Sequence, residues 1–104
     1  ISVFEPHRYS RVTTLRYAFS KSFLKSNIVL MCPIYAAGEK KKLNFNFFDF
    51  AKLISKNSKT QVIMINSEKE LSKYFKKNLI SNEIIIGMGA GSISKWMRNL
   101  KFNL

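Results

Sequence analysis

Apolar residues along this chain follow two kinds of spacing. Short runs of consecutive apolar residues, typical of β-strands, lie at 1–4, 28–34, 61–65 and 84–86. Between these runs, apolar residues recur every three to four positions, which is the period of an amphipathic helix. Because uninterrupted apolar runs indicate strands covered on both faces, the pattern favours a parallel sheet between helices. We therefore predict a three-layer, open-sheet α/β fold, mostly parallel and Rossmann-like, with about four βα units.

Four helices are predicted from the periodic segments. The first two cover about residues 13–25 and 47–56, and the last follows residues 87–92. The third begins at a capping box, in which Ser67 accepts a hydrogen bond from the amide of Glu70 and the Glu70 side chain reaches back. The residues predicted to face the core are, in chain order, Leu15, Ala18, Phe19, Phe23, Phe47, Phe50, Ala51, Ile54, Leu71, Tyr74, Phe75, Leu79, Ile93, Trp96, Met97 and Leu100.

The net charge of +12 raises nucleic acid or an anionic membrane as a partner. The basic excess is almost entirely lysine, 14 against 4 arginines, and many of these lysines lie on predicted helix faces. Such lysines are usually solvated, and we expect the basic run at residues 40–42 to be a solvated loop. No apolar run approaches the roughly 20 residues that cross a bilayer, and no signal-peptide pattern is present. We expect a soluble protein that binds neither nucleic acid nor membrane.

The length of 104 residues fits one domain, residues 1–104. Because the chain opens with Ile1 directly in a predicted strand, we expect it to be a piece of a longer polypeptide. The single cysteine, Cys32, lies in an apolar run, which favours a buried, unreactive thiol. The single histidine, His7, is distant from Cys32 in sequence, and neither has clustered acidic neighbours, so no metal site is predicted.

Three of the four loops that follow the predicted strands carry unusual residues. The first loop carries His7, Arg8 and Arg11, the second carries Tyr35 and Glu39, and the fourth is rich in glycine. The third loop has the sequence of a plain helix start. In a parallel sheet these loops share the carboxyl edge, where ligands bind. We therefore predict a single site at that edge, positive in sign and with one carboxylate.

Arg8 and Arg11 are the strongest candidates for ligand binding. Pro6 ends the first strand, and a helix that begins near Arg8 would project both arginines from one face. Two adjacent guanidinium groups can hold a carboxylate or a phosphate. In the alternative, one arginine caps a neighbouring loop and the other is solvated, and their spacing alone does not separate the two cases. His7 either contacts the ligand or bonds to its own loop, and its position beside the arginines favours contact.

The glycine run at residues 87–92 can aim backbone amides at an anion beside a helix start. It is neither a dinucleotide fingerprint nor a P-loop. A structural turn that lets strand and helix pack closely is an equal alternative, and we expect a partial role in backbone contact or loop shaping. Ser10 lacks a recognisable base and is not in a nucleophile elbow. No self-contained catalytic centre is predicted, so the isolated chain is expected to be inactive.

Residues 4–11, Phe-Glu-Pro-His-Arg-Tyr-Ser-Arg, resemble the Phe-x-Pro-His-Arg-Tyr-Ser/Thr-Arg signature of the UDP-N-acetylmuramate:L-alanine ligases. Two further stretches resemble that family in the same order, Tyr-Ala-Ala-Gly-Glu at 35–39 and Gly-Ala-Gly-Ser-Ile at 89–93. Together the three span nearly the whole chain. The resemblance implies most of the carboxy-terminal, amino-acid-binding domain of an ATP-dependent ligase of peptidoglycan synthesis, and with it a cytoplasmic, bacterial location. The domains that bind UDP-N-acetylmuramate and ATP would lie outside the chain.

The resemblance also implies roles for individual residues. Arg8 and Arg11 would grip the carboxylate of the substrate L-alanine, while His7 and Tyr9 would shape its pocket. ATP and Mg²⁺ would be bound mainly outside this chain, because the family's Gly-Thr-x-Gly-Lys-Thr nucleotide loop is absent from it. The residues implied to line the cleft are Tyr9, Tyr35, Glu39, Gly89, Ala90, Gly91 and Ser92.

Two other function classes stay open at this point. One is a basic α/β module that binds nucleic acid or an acidic partner without catalysis, with an affinity that falls steeply with salt. The other is a purely structural domain in which the paired arginines are accidental. The loop after residue 39 also departs from the family, because three lysines replace its usual short, proline-containing stretch.

Overall fold

A computed structural model of the chain describes residues 1–40, 45–78 and 83–103, the last three residues as backbone only. Within these residues, four strands form one sheet in the order β3-β2-β1-β4, and every pair of neighbours is parallel. The strands are β1 (Ser2–Phe4), β2 (Ile28–Met31), β3 (Gln61–Met64) and β4 (Ile86–Met88). The helices are α1 (Tyr9–Thr14), α2 (Arg16–Ser20), α3 (Phe47–Ser58), α4 (Glu68–Asn78) and α5 (Ile93–Asn103). The predicted three-layer α/β fold is confirmed.

The interior strand β2 is covered on both faces, as its uninterrupted apolar run predicts. Val29 and Met31 belong to one core cluster and Leu30 and Cys32 to another, all fully buried. Successive side chains on a strand point to opposite faces, so the two clusters are the two sides of the sheet. The first side is completed by Phe4, Val12, Phe23, Phe50 and Ile54. The second is completed by Val3, Ile65, Leu71, Phe75, Ile93 and Leu100.

Helices α3, α4 and α5 confirm their predicted periodicity. At α4 the capping box forms, since the Ser67 hydroxyl accepts from the Glu70 amide at 3.2 Å. The Glu70 carboxylate accepts from the Asn66 amide at 2.8 Å, one residue before the serine. Two predictions lie outside the described residues, namely the inward direction of Leu79 and the loop at residues 41–42. Along the described chain, no helix combines the length and the apolar character that a membrane crossing requires.

The first predicted helix, residues 13–25, is wrong in its bounds. The helix begins earlier, at Tyr9, and breaks at Leu15, where φ is −103° and ψ is 19°. The three residues before the break are β-branched and disfavour a continuous helix. Leu15 and Ala18, predicted to face the core, are exposed, and Val12 is buried in their place.

The fourth strand also differs from its prediction at residues 84–86. It lies two residues later, because β1 and β4 pair with Ser2 opposite Ile86 and Phe4 opposite Met88. The apolar run suggests burial on both faces, yet β4 is at the edge of the sheet and Ile86 is 54% exposed. An apolar run therefore identified the strand but not its place in the sheet.

Candidate functional site

The carboxyl ends of β1, β2 and β4 meet at one rim, which here means residues 5–11, 32–39 and 89–92. The amide of Glu5 donates to the Met88 carbonyl at 2.8 Å, and the amide of Cys32 donates to the Phe4 carbonyl at 2.8 Å. These bonds continue the sheet ladder past the ends of the strands. The sequence-predicted convergence of three loops is therefore present in the fold.

The first two loops are also tied to each other through Tyr35. Its amide donates to the Pro6 carbonyl, and its carbonyl accepts from the Arg8 amide, both at 2.8 Å. These bonds form an isolated parallel bridge between His7 and Tyr35, whose rings stack with centroids 5.6 Å apart and planes 18° from parallel. His7 is half-buried and Tyr35 is 41% exposed, so one edge of the stack faces solvent.

The two candidate arginines lie at the start of α1. Arg8 occupies the N-cap position with φ 63° and ψ 133°, a backbone conformation that residues other than glycine seldom adopt. Its side chain is therefore not set by helical geometry, and the i, i+3 argument for a shared face does not apply to it. Arg11 lies within α1, and both arginines are exposed at the rim.

The carboxylate of Glu39 lies beside the same helix start. Its Oε1 accepts from the Ser10 amide at 3.4 Å. The pKa of Glu39 is lowered mainly by a hydrogen bond from the Ser10 side chain. Burial opposes this shift, and the Ser10 and Tyr9 amides and the charge of Arg8 contribute smaller decreases. The turn that delivers Glu39 uses left-handed backbone at Ala37, with φ 52°, and at Gly38, with φ 91°.

The glycine loop at residues 89–92 is held by Glu5, a residue that sequence reasoning missed. Glu5 is only 5% exposed, and its two carboxylate oxygens accept from the amides of Gly91 at 2.8 Å and Ser92 at 3.1 Å. The amides predicted to aim at a ligand anion are thus occupied by a carboxylate of the protein itself. No direct signal for this contact was present in the sequence, because Glu5 and the glycine run meet only through the pairing of β1 with β4.

Close packing explains the three glycines of the run. A Cβ built on Gly87 would lie 2.7 Å from Met97, and one on Gly89 would lie 2.7 Å from the Cβ of Glu5. A Cβ on Gly91 would lie 2.5 Å from the ring of Tyr35. None of the three has positive φ, so they are needed for space and not for a turn. Of the predicted structural alternative, the close packing is therefore present, without a turn that requires glycine.

The remaining predicted residues occupy different depths of the rim. Ala90 and Ser92 are exposed, whereas Tyr9 is 3% exposed and packs edge-on against Phe45 with centroids 5.7 Å apart. Tyr9 therefore supports the rim from the core side and does not line an open cleft. Cys32 is buried, and burial, with a smaller effect of the Glu5 charge, raises the pKa of its thiol to about 12. The expected burial of this thiol is confirmed.

Around the start of α1, the rim presents basic side chains that can bind a small anion. Across residues 1–40, 45–78 and 83–103, no group of three or more His, Cys, Asp or Glu side chains could hold a metal. The amides of Gly91 and Ser92, which a phosphate would need, are already bonded to Glu5. The arginines and His7 remain as exposed or half-buried donors around the start of α1.

Similar proteins align with almost the whole chain. A UDP-N-acetylmuramate--L-alanine ligase of Pelagibacter ubique (strain HTCC1062) is 49% identical over 100 residues, which are 96% of this chain and 22% of that protein. Proteins of the same name from Lachnospira eligens and Fusobacterium nucleatum are 37% and 36% identical over 89% and 90% of the chain, and 20% and 19% of their own length. The chain thus spans about a fifth of the curated relatives it matches. No protein-family model matches it.

Proposed function

This chain belongs to the family of UDP-N-acetylmuramate:L-alanine ligases, and we propose that it is the carboxy-terminal, amino-acid-binding domain of such an enzyme. It spans about one fifth of the length of the relatives that it matches. In this proposal the intact enzyme uses ATP to join L-alanine to UDP-N-acetylmuramate in the cytoplasm, during peptidoglycan synthesis. The proposal is supported by the similarity to these ligases and by three family-like stretches that share one rim.

We propose that Arg8 and Arg11 hold the carboxylate of L-alanine. The observation that carries this proposal is their joint exposure at the start of α1, beside the His7–Tyr35 stack. The backbone of Arg8 is fixed by its hydrogen bond to the Tyr35 carbonyl, which limits where its side chain can reach. Guanidinium groups bind carboxylates in a bidentate and directional way, which would orient the alanine amine for attack.

ATP and Mg²⁺ are assigned to parts of the enzyme outside this chain. The glycine loop does not fit a phosphate, since Glu5 occupies the Gly91 and Ser92 amides. When bound, ATP would supply the phosphoryl group that activates the muramyl carboxylate. The role of this domain would be to bring alanine to that activated group by closing over the ATP-bearing domain, with Tyr35 and Glu39 on the facing rim.

The test is an alanine titration of the intact ligase with Arg11→Ala. Loss of a charge-assisted hydrogen-bond pair costs about 1.5–3 kcal/mol, so the KM for L-alanine should rise roughly ten- to a hundredfold. The KM for ATP should stay within about twofold, because the nucleotide site is elsewhere. Arg16→Ala is the matched control, since Arg16 is an exposed arginine in α2 whose guanidinium lies 5.6 Å from the Tyr17 ring, away from the rim.

The proposal fails if Arg11→Ala leaves the alanine dependence unchanged. It also fails if Arg16→Ala raises the alanine KM as much as Arg11→Ala does, because the effect would then reflect general positive charge. Arg11→Lys should recover only part of the loss, since an ammonium group cannot make the bidentate contact.

A further inference from the structure

The buried carboxylate of Glu5 lies beside the N-terminal end of α5. Both of its carboxylate oxygens are used, one on the Gly91 amide and one on the Ser92 amide, at 2.8 and 3.1 Å. These amides lie immediately before α5, an eleven-residue helix whose N-terminal end favours nearby negative charge. Because Glu5 is 5% exposed, solvent contributes little to satisfying it.

Glu5 also fits the loop sterically. A Cβ on Gly89 would lie 2.7 Å from the Cβ of Glu5 and 2.9 Å from its Oε1. The side chain of Glu5 therefore fills the space that a residue larger than glycine at position 89 would take. Its amide donates to Met88, so the backbone and the side chain of Glu5 both bond to the β4 end. Glu5 thus fixes the position of the whole loop relative to β1.

The loop in turn supports the residues that would bind alanine. A Cβ on Gly91 would lie 2.5 Å from the Tyr35 ring, so the loop backbone lies directly against that ring. The other partner of the ring is His7, stacked at 5.6 Å. The carbonyl of the same tyrosine accepts the Arg8 amide at 2.8 Å. A continuous set of contacts therefore runs from Glu5 through Gly91 and Tyr35 to His7 and Arg8.

We infer that Glu5 is a positioning residue for the amino-acid site. Its carboxylate takes the place that a ligand phosphate has in phosphate-binding loops, and it holds the glycine loop against Tyr35 so that Arg8 and His7 keep their place. This inference rests on the proposed function for its readout, the binding of alanine. Its structural part, that Glu5 and not a nucleotide occupies the loop amides, does not depend on that function.

The experiment compares Glu5→Gln and Glu5→Ala with wild type in the intact ligase. In Glu5→Gln one amide oxygen remains as an acceptor, but its NH₂ group faces a backbone N–H, so one of the two bonds is lost. We expect the KM for L-alanine to rise about tenfold in Glu5→Gln and more in Glu5→Ala. The KM for ATP should stay within about twofold of wild type. Hydrogen exchange, measured by mass spectrometry, should accelerate at the Gly91 and Ser92 amides.

A small anion supplies the sharpest readout. Sodium formate should restore part of the alanine affinity of Glu5→Ala, because formate can enter the vacated space and accept the same two amides. Sodium chloride at equal ionic strength is the salt control. Glu70→Gln is the matched residue control, since Glu70 also accepts a backbone amide at a helix start, at 2.8 Å, but at α4 and away from the rim. It should leave both KM values unchanged.

The outcomes separate this inference from the proposed function. If Arg11→Ala raises the alanine KM while Glu5→Gln does not, the proposed function stands and the positioning role of Glu5 is wrong. If the Glu5 variants raise the KM for ATP as much as that for alanine, the loop acts at the nucleotide and the inference is also wrong. If Glu5→Ala does not fold, the alanine KM and the hydrogen exchange of Glu5→Gln alone test the inference. Unaltered exchange at Gly91 and Ser92 in that variant would overturn the structural part.

Discussion

The ring of His7 is stacked on the ring of Tyr35, with centroids 5.6 Å apart and planes inclined by 18°. The two residues come from loops that follow different strands, and the backbone bridge between them is the contact that brings those loops into one rim. The stack also gives His7 a fixed orientation beside the start of α1. Substitutions of Tyr35 test what this stack contributes to stability.

Removal of the Tyr35 ring should loosen the rim. We expect Tyr35→Ala to lower the free energy of unfolding by about 1 kcal/mol, the usual worth of an aromatic pair, and to raise the alanine KM of the intact ligase. Tyr35→Phe keeps the ring and should stay within about 0.5 kcal/mol of wild type. Urea unfolding measures the stability. Equal losses in the two variants would show that the hydroxyl, and not the stack, is responsible.

Arg8 has a backbone conformation that only glycine adopts without strain, with φ 63° and ψ 133°. Such residues carry about 1–3 kcal/mol of strain, commonly at functional sites. Both Arg8→Gly and Arg8→Ala remove the guanidinium group, but only the glycine variant relieves the strain. We therefore expect Arg8→Gly to be more stable than Arg8→Ala by about 1 kcal/mol in urea unfolding. The reverse order would mean that Arg8 is not strained.

Glu39 should make stability depend on pH. The hydrogen bond from Ser10, with the neighbouring amides and Arg8, lowers the pKa of Glu39 in the folded state. A carboxylate with a lowered pKa stabilises the fold above its unfolded-state pKa of about 4.3, and this contribution disappears as the pH falls through the folded-state value. Wild type should therefore exceed Glu39→Gln in stability at neutral pH, and the difference should disappear as the pH falls below the folded-state pKa of Glu39. A difference that grows on acidification would contradict this account.

Two neighbouring hydroxyl groups at the end of α3 should respond oppositely to removal. The Ser58 hydroxyl donates to the Ser20 carbonyl and accepts from the Phe23 amide at 3.1 Å. The buried hydroxyl of Thr60 has no hydrogen-bond partner within the described chain. We expect Ser58→Ala to lose about 1–3 kcal/mol and Thr60→Val to gain about 1 kcal/mol in thermal or urea unfolding. A destabilised Thr60→Val would indicate a partner for that hydroxyl.

The apolar pattern was enough to predict the layers of the fold, because burial on two faces dictates the composition of a central strand. It placed the helices α3, α4 and α5 correctly and identified β2, although the predicted run at 28–34 extends three residues beyond the end of that strand at Met31. It failed for the helix after β1. The apolar period predicted that Leu15 faces the core, but the helix is interrupted at Leu15 and Val12 is buried instead. Helix breaks depend on local backbone geometry, which hydrophobic spacing does not encode.

The sequence predicted where the candidate site lies more reliably than how its side chains are arranged. Parallel strands bring their carboxyl ends together whatever their order, so the convergence of His7, Tyr35 and the glycine loop followed from the fold class. The role of Glu5 did not follow from the fold class. Strand order decides which side chain faces the glycine loop, and the strand order was not evident from the sequence. The left-handed backbone of Arg8 was likewise invisible in its residue type.

The central claim is that Arg8 and Arg11 act on one carboxylate, and a double-mutant cycle on the alanine kcat/KM of the intact ligase tests it directly. The cycle compares wild type, Arg8→Ala, Arg11→Ala and the double variant. If both arginines hold the same carboxylate, the double variant should lose less than the sum of the single losses, with an interaction energy of about 0.5–3 kcal/mol. Single losses that add within about 0.5 kcal/mol, or no loss at all, would contradict the claim.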